Sequence, residues 1–140
     1  AERTTNHQTL VREFAKLIGD GCGELFEDPY SYDLLWVPTP DPHTTCYLFE
    51  MKTINGDAEA QARNALAQLA YYHFFKVAAE WPTHGVVRCA VFDTNVGARL
   101  AKFLEQEGIA SLALEPQGVV PLNQTGQELV DMLPPNGADR

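Results

Sequence analysis

The sequence predicts an α/β fold, a mixed central sheet flanked by helices, and three observations carry that expectation. Helix-like and strand-like periodicities follow one another as helix, two or three strands, helix, strand, helix, strand. The segments 46–52 and 86–92 are largely apolar, as strands covered by helices on both faces must be. No internal repeat or low-complexity tract interrupts the 140 residues, so residues 1–133 read as a single domain with a frayed tail at 134–140.

Taken in order, residues 5–18 form an amphipathic helix. Leu10, Val11, Phe14, Leu17 and Ile18 recur at helical spacing, Thr5 or Asn6 can cap the start, and Gly19-Asp20-Gly21 stops the helix. A hairpin-like region follows, with Gly23 to Phe26, a turn at Asp28-Pro29, and a strand over 31–37. The three prolines between Pro38 and Thr45 make a loop. A strand over 46–52 ends before Asn55-Gly56, a turn pair. Residues 57–80 carry the longest helical pattern, with Ala62, Leu66, Leu69, Ala70 and Val77 on the buried face, and Pro82 ends it. Strand 86–92, a helix over 96–106 capped by Thr94 or Asn95, and strand 109–114 complete the core. A short edge strand at 119–122 and a helix over 125–133 close the domain.

Composition bounds the functional classes. Hydrophobic residues are 45% and charged residues 21%, ordinary values for a globular protein. No apolar run approaches the ~20 residues that cross a bilayer, and no signal-peptide pattern opens the chain, so no membrane partner is expected. The chain begins at Ala1 rather than Met, which suggests a fragment of a larger protein. Cys22, Cys46 and Cys89 form no C-x-x-C pair and leave one unpaired, which argues for a reducing, cytoplasmic setting and against both a structural zinc site and a disulfide framework. The net charge is −9 and the pI about 4.7. Nonspecific DNA affinity comes mostly from Lys and Arg, so nucleic-acid binding here requires either a bound cation or help from another domain or subunit.

The chemistry lies in Glu50-Met51-Lys52. Side chains in a strand alternate, so Glu50 and Lys52 face one way and Phe49 and Met51 the other. Placing a carboxylate and an ammonium at an apolar strand end is costly unless each finds a partner. Asp33 supplies a second acid upstream, in the apolar stretch Ser31 to Val37. Hard divalent ions take oxygen ligands and keep several waters, so Asp33, Glu50 and the Met51 backbone carbonyl suffice to hold Mg²⁺ or Mn²⁺. Such an ion lowers the pKa of water and offsets charge on phosphoryl oxygens, and Lys52 would orient the attacking water and stabilise the transition state.

Together these residues resemble the PD-(D/E)XK nuclease superfamily, with its restriction-endonuclease-like αβββαβ core. The similarity covers residues 5 to 115, most of the chain. It implies Asp33 and Glu50 as metal ligands, Lys52 as the catalytic lysine, and Glu13 on the first helix as an auxiliary acid near the metal. Gln68-Leu69-Ala70-Tyr71-Tyr72 is similar to the Q-x-x-x-Y motif of RecB-type nucleases, which implies roles for Gln68 and Tyr72 near the metal or the DNA backbone. Tyr32 stands in place of the proline of the motif's name, a position that varies widely within the superfamily. The implied activity is hydrolysis of DNA phosphodiesters in restriction, phage defence or DNA repair. A homodimer would cut both strands.

Blander explanations run alongside. Glu50 and Lys52 can form a solvated surface ion pair, worth little. Asp33 can be a turn acid and Glu13 a surface acid, and Tyr71, Tyr72, Phe74 and Phe75 can all be packing residues. Gln61, Asn64, Gln68 and Tyr72 share one sector of the long helix, as residues lining a cleft would, but Gln61 and Asn64 also suit an ordinary polar face. His73 reads as a core histidine, and His7, His43 and His84 have no ligand spacing. No phosphate loop or Gly-x-Ser-x-Gly is present. Rival functions are a catalytically silent interaction module of the same fold, a nuclease toxin bound by a basic partner, and a phosphohydrolase acting on small nucleotides.

Overall fold

A computed structural model describes residues 5–19, 23–38 and 45–134. The expected stop around Asp20-Gly21, most of the proline loop with His43, Cys22, and the tail beyond Pro134 lie outside the described residues. The elements are α1 (Thr5–Ile18), β1 (Glu24–Phe26), β2 (Leu34–Val37), β3 (Thr45–Lys52), α2 (Ala58–Tyr72), a π-helical segment (His73–Val77), α3 (Ala78–Glu80), β4 (Gly85–Phe92), α4 (Ala98–Gln106), β5 (Ile109–Glu115), β6 (Gly118–Pro121) and α5 (Gln124–Met132).

The strands form one mixed sheet in the order β1-β2-β3-β4-β5-β6. Pairing is antiparallel from β1 to β3, parallel from β3 to β5, and antiparallel again at β6. Each parallel step is bridged by a helix, α2 between β3 and β4 and α4 between β4 and β5, as parallel neighbours require. Alternation along the strands then sorts the core into two layers. Phe49 and Met51 of β3 and Leu34 and Trp36 of β2 pack with Leu10, Val11, Phe14 and Ile18 of α1 and Leu129 of α5. Leu48, Leu35 and Phe92 pack on the opposite face with Ala65 and Leu69 of α2, Val77, and Leu104 of α4. Because Glu50 and Lys52 share the parity of Leu48, the sheet presents them to the α2 side. Among the described residues no helix is long and apolar enough to cross a membrane.

Several boundaries differ from the sequence expectation, each for a local reason. β2 starts at Leu34, three residues later than expected, because the Asp28 carboxylate accepts from the Tyr30 N–H (3.0 Å) and the Ser31 hydroxyl (2.8 Å) and holds that stretch as a turn. Asp33 therefore precedes the strand instead of lying inside it. Asn95 accepts from the Gly97 N–H at 2.7 Å in a turn of its own, so α4 begins only at Ala98 and neither Thr94 nor Asn95 caps it. At α5 the cap is Asn123, whose oxygen accepts from Gly126 (2.8 Å) and Ser111 (3.0 Å). Its amide donates to the carbonyls of Ala101 (3.2 Å) and Ile109 (3.0 Å), which ties α4, β5 and α5 together. The helix expected over 57–80 starts with Asp57 accepting from the Ala60 N–H, but it is not uniform. The π segment adds a residue per turn, which brings Val77 back to the face of Ala62, Ala65 and Leu69.

Phe14 anchors α1, being fully buried with its ring 4.9 Å from that of Phe49. Phe14→Ala should cost about 3–5 kcal/mol of unfolding free energy, read as a lowered urea midpoint. A loss below about 1 kcal/mol would mean that α1 does not pack as described.

Candidate functional site

The β3 end, the start of β2 and the middle of α2 enclose a cleft of about 160 Å³. Its lining includes Asp33, Glu50, Met51, Lys52 and Gln68, five of the seven residues singled out from the sequence. Both carboxylates are buried, each with about 4% of its surface exposed. Burial at this level excludes the solvated ion pair as a description of Glu50.

Each charge is held by neighbours. Asp33 Oδ2 accepts from the Met51 N–H at 2.7 Å, which fixes the acid that precedes β2 against the backbone of β3. Lys52 Nζ stands 3.6 Å from Glu50 Oε2 and donates to Gln68 Oε1. The Glu-x-Lys pair of the strand is thereby coupled to α2, and of the sector Gln61, Asn64, Gln68 and Tyr72 only Gln61 and Gln68 line the cleft. Asn64 is exposed. Tyr72 does not line the cleft. It is half-buried beside it: burial raises the pKa of its hydroxyl, and the charges of Glu50, Tyr71, Asp33 and Asp28 raise it further.

The residue contributed by α1 is His7 and not Glu13. Glu13 is exposed and lies six residues further along α1, about 9 Å down the helix axis from His7. His7 Nε2 is 3.1 Å from Asp33 Oδ2 and 3.1 Å from the Met51 carbonyl oxygen. Both neighbours are acceptors, so this nitrogen carries the hydrogen and shares it between them. Sequence reasoning set His7 aside for want of ligand spacing. A signal was nonetheless present, since Leu10, Val11 and Phe14 follow His7 at i+3, i+4 and i+7 and so share its inward face.

Two carboxylates and a backbone carbonyl are oxygen donors, the kind of ligand that hard divalent cations take. A carboxylate oxygen of Asp33 and the Met51 carbonyl converge on one point, now filled by the His7 N–H, and Glu50 adds a second carboxylate to the same cleft. Among the described residues no group of three or more His, Cys, Asp or Glu side chains is arranged to hold a metal.

Among the described residues, the cleft lining sets Lys52 and the His7 imidazole against two buried carboxylates. Removing one negative charge without changing its shape should relieve the fold. In metal-free buffer, Glu50→Gln is expected to raise the urea midpoint, by roughly 1 kcal/mol in unfolding free energy. A lowered midpoint would show that the carboxylate stabilises the fold by itself. No protein-family model, curated protein or solved structure matches the chain, so any functional reading rests on this geometry.

Proposed function

We propose that this chain is a metal-dependent nuclease domain of the PD-(D/E)XK kind, hydrolysing DNA phosphodiesters in the cytoplasm. The observation that carries the reading is the convergence of Asp33, Glu50 and Lys52 in one cleft, with Lys52 hydrogen-bonded to Gln68 of α2. Supporting it, α1, β1, β2, β3, α2 and β4 follow one another in the αβββαβ order of that resemblance.

Asp33, Glu50 and the Met51 carbonyl would hold the ion. A bound Mg²⁺ or Mn²⁺ would supply an activated water and offset charge on the phosphoryl oxygens. Lys52, held between Glu50 and Gln68, keeps its ammonium directed into the cleft, where it can position a water and stabilise charge that builds on the phosphate. Gln68 acts through Lys52, fixing the ammonium's direction. His7 orients the Asp33 carboxylate and the Met51 carbonyl from the α1 side. One cleft makes one cut, so cleavage of both strands calls for a second copy or a second event. The net charge of −9 makes help from another domain or subunit the expected route to tight DNA binding.

That same charge favours a second reading, an interaction module of this fold without catalysis. Incubation of supercoiled plasmid and single-stranded DNA with the chain in Mg²⁺, Mn²⁺ or EDTA separates the two. The nuclease reading expects cutting that needs metal and falls at least about 100-fold in Lys52→Ala. Cutting that survives EDTA or the substitution would contradict it. No cutting by the wild type, with no rise of Tm in Mn²⁺, would put the interaction module first.

A further inference from the structure

Most polar side chains of the cleft are already engaged with one another. His7 and Asp33 are 3.1 Å apart, the Ser31 hydroxyl donates to Asp28 at 2.8 Å, and Lys52 stands between Glu50 and Gln68. Thr53 and Gln61 line the same cleft and are half-buried. Among the described residues, no hydrogen bond or ion pair engages either of these two side chains.

Their placement follows from the chain. Thr53 is the first residue beyond β3, directly after Lys52, and Gln61 belongs to the start of α2. Gln61 and Gln68 are seven residues apart, two helical turns, so both leave α2 on one side, about 10 Å apart along its axis. The α2 wall of the cleft therefore runs on well past the partner of Lys52, farther than a single phosphate group spans.

Charge decides which groups such a wall can use. A phosphodiester is an anion that accepts hydrogen bonds and donates none. Two buried carboxylates repel it, and the positive charge of Lys52 is already set against Glu50. A further lysine or arginine at 53 or 61 would be drawn to those carboxylates and would compete with a cation for them. A hydroxyl and a carboxamide do neither. Each can donate to a phosphate oxygen while carrying no charge, a contact that Thr and Gln commonly make in nucleic-acid interfaces.

We propose that the Thr53 hydroxyl and the Gln61 amide hold the phosphate next to the one attacked, and so set the register of the bound strand in the cleft. The pair rests on the nuclease reading for its ligand. Its role is to position the strand. Two neutral hydrogen bonds leave the need for a cation or a further domain as it stands.

The test is fluorescence anisotropy with a labelled single-stranded oligothymidylate and with an abasic strand of equal length. Both are measured in Ca²⁺, which takes the same oxygen ligands as the smaller ions, and gel electrophoresis confirms that the strands stay intact. The double variant Thr53→Val/Gln61→Ala should lose at least about tenfold in affinity for both strands. Thr53→Ser should keep the wild-type affinity. Gln61→Glu, alike in shape but charged, should bind more weakly than Gln61→Ala, an order that a merely structural role would not produce. Circular dichroism checks that each variant keeps its fold. Failure of the wild type to bind either strand, or a double variant with wild-type affinity, would overturn the pair. So would Gln61→Glu binding as well as Gln61→Ala, or a loss confined to the oligothymidylate, which would assign the two residues to bases. Binding is read here and chemistry in the Lys52→Ala cleavage test. A chain that cuts while its double variant binds normally loses only the phosphate pair, and a chain that binds as described without cutting loses only the nuclease.

Discussion

Two carboxylates buried at the end of an otherwise apolar sheet are the constraint on which the rest of the structure turns. Asp33 and Glu50 are both almost removed from water, and an acid so placed needs compensation from close by. Three separate elements provide it. The β3 backbone donates to Asp33 through Met51, α1 brings His7 to the same carboxylate, and α2 brings Gln68 to the lysine that faces Glu50. The order of the chain, with one helix before the strands and another directly after β3, delivers both helices to one point. A sheet built only for stability would carry apolar residues there. Concentrating charge in a cleft at the expense of stability is how active sites are commonly made.

The parity of β3 was legible in the sequence. Glu50 and Lys52 had to share a face by simple alternation, and the structure sets them on the α2 side with Phe49 and Met51 behind. Leu10, Val11, Phe14 and Ile18 equally announced the buried stripe of α1. Gln68 enters through its likeness to the Q-x-x-x-Y motif, and the structure sets Gln68, but not Tyr72, in the cleft lining.

What the sequence did not disclose depends on contacts distant along the chain. His7 reaches Asp33 and Met51 only because α1 crosses the sheet with its first turn over the cleft, and no local pattern states that crossing. The resemblance places Glu13 near the metal, but nothing in it states which end of α1 meets the site. The start of β2 was placed too early because the Asp28 turn competes for Tyr30 and Ser31, residues otherwise compatible with a strand. The π segment was invisible for a different reason. Tyr-Tyr-His-Phe-Phe-Lys-Val suits an α-helix, and the wider turn that forms instead sets Val77 in the core beside Ala65 and Leu69.

In the proposed reading, the oxygens of Asp33, Glu50 and Met51 would hold a divalent cation. Anomalous diffraction from crystals of the chain soaked in Mn²⁺ tests it most directly, because the scattering peak locates the ion without assuming any activity. The account predicts a peak in the cleft, in contact with both carboxylates and the Met51 carbonyl, that disappears in Asp33→Ala. An empty cleft at saturating Mn²⁺, or a peak that survives this substitution unchanged, would contradict it.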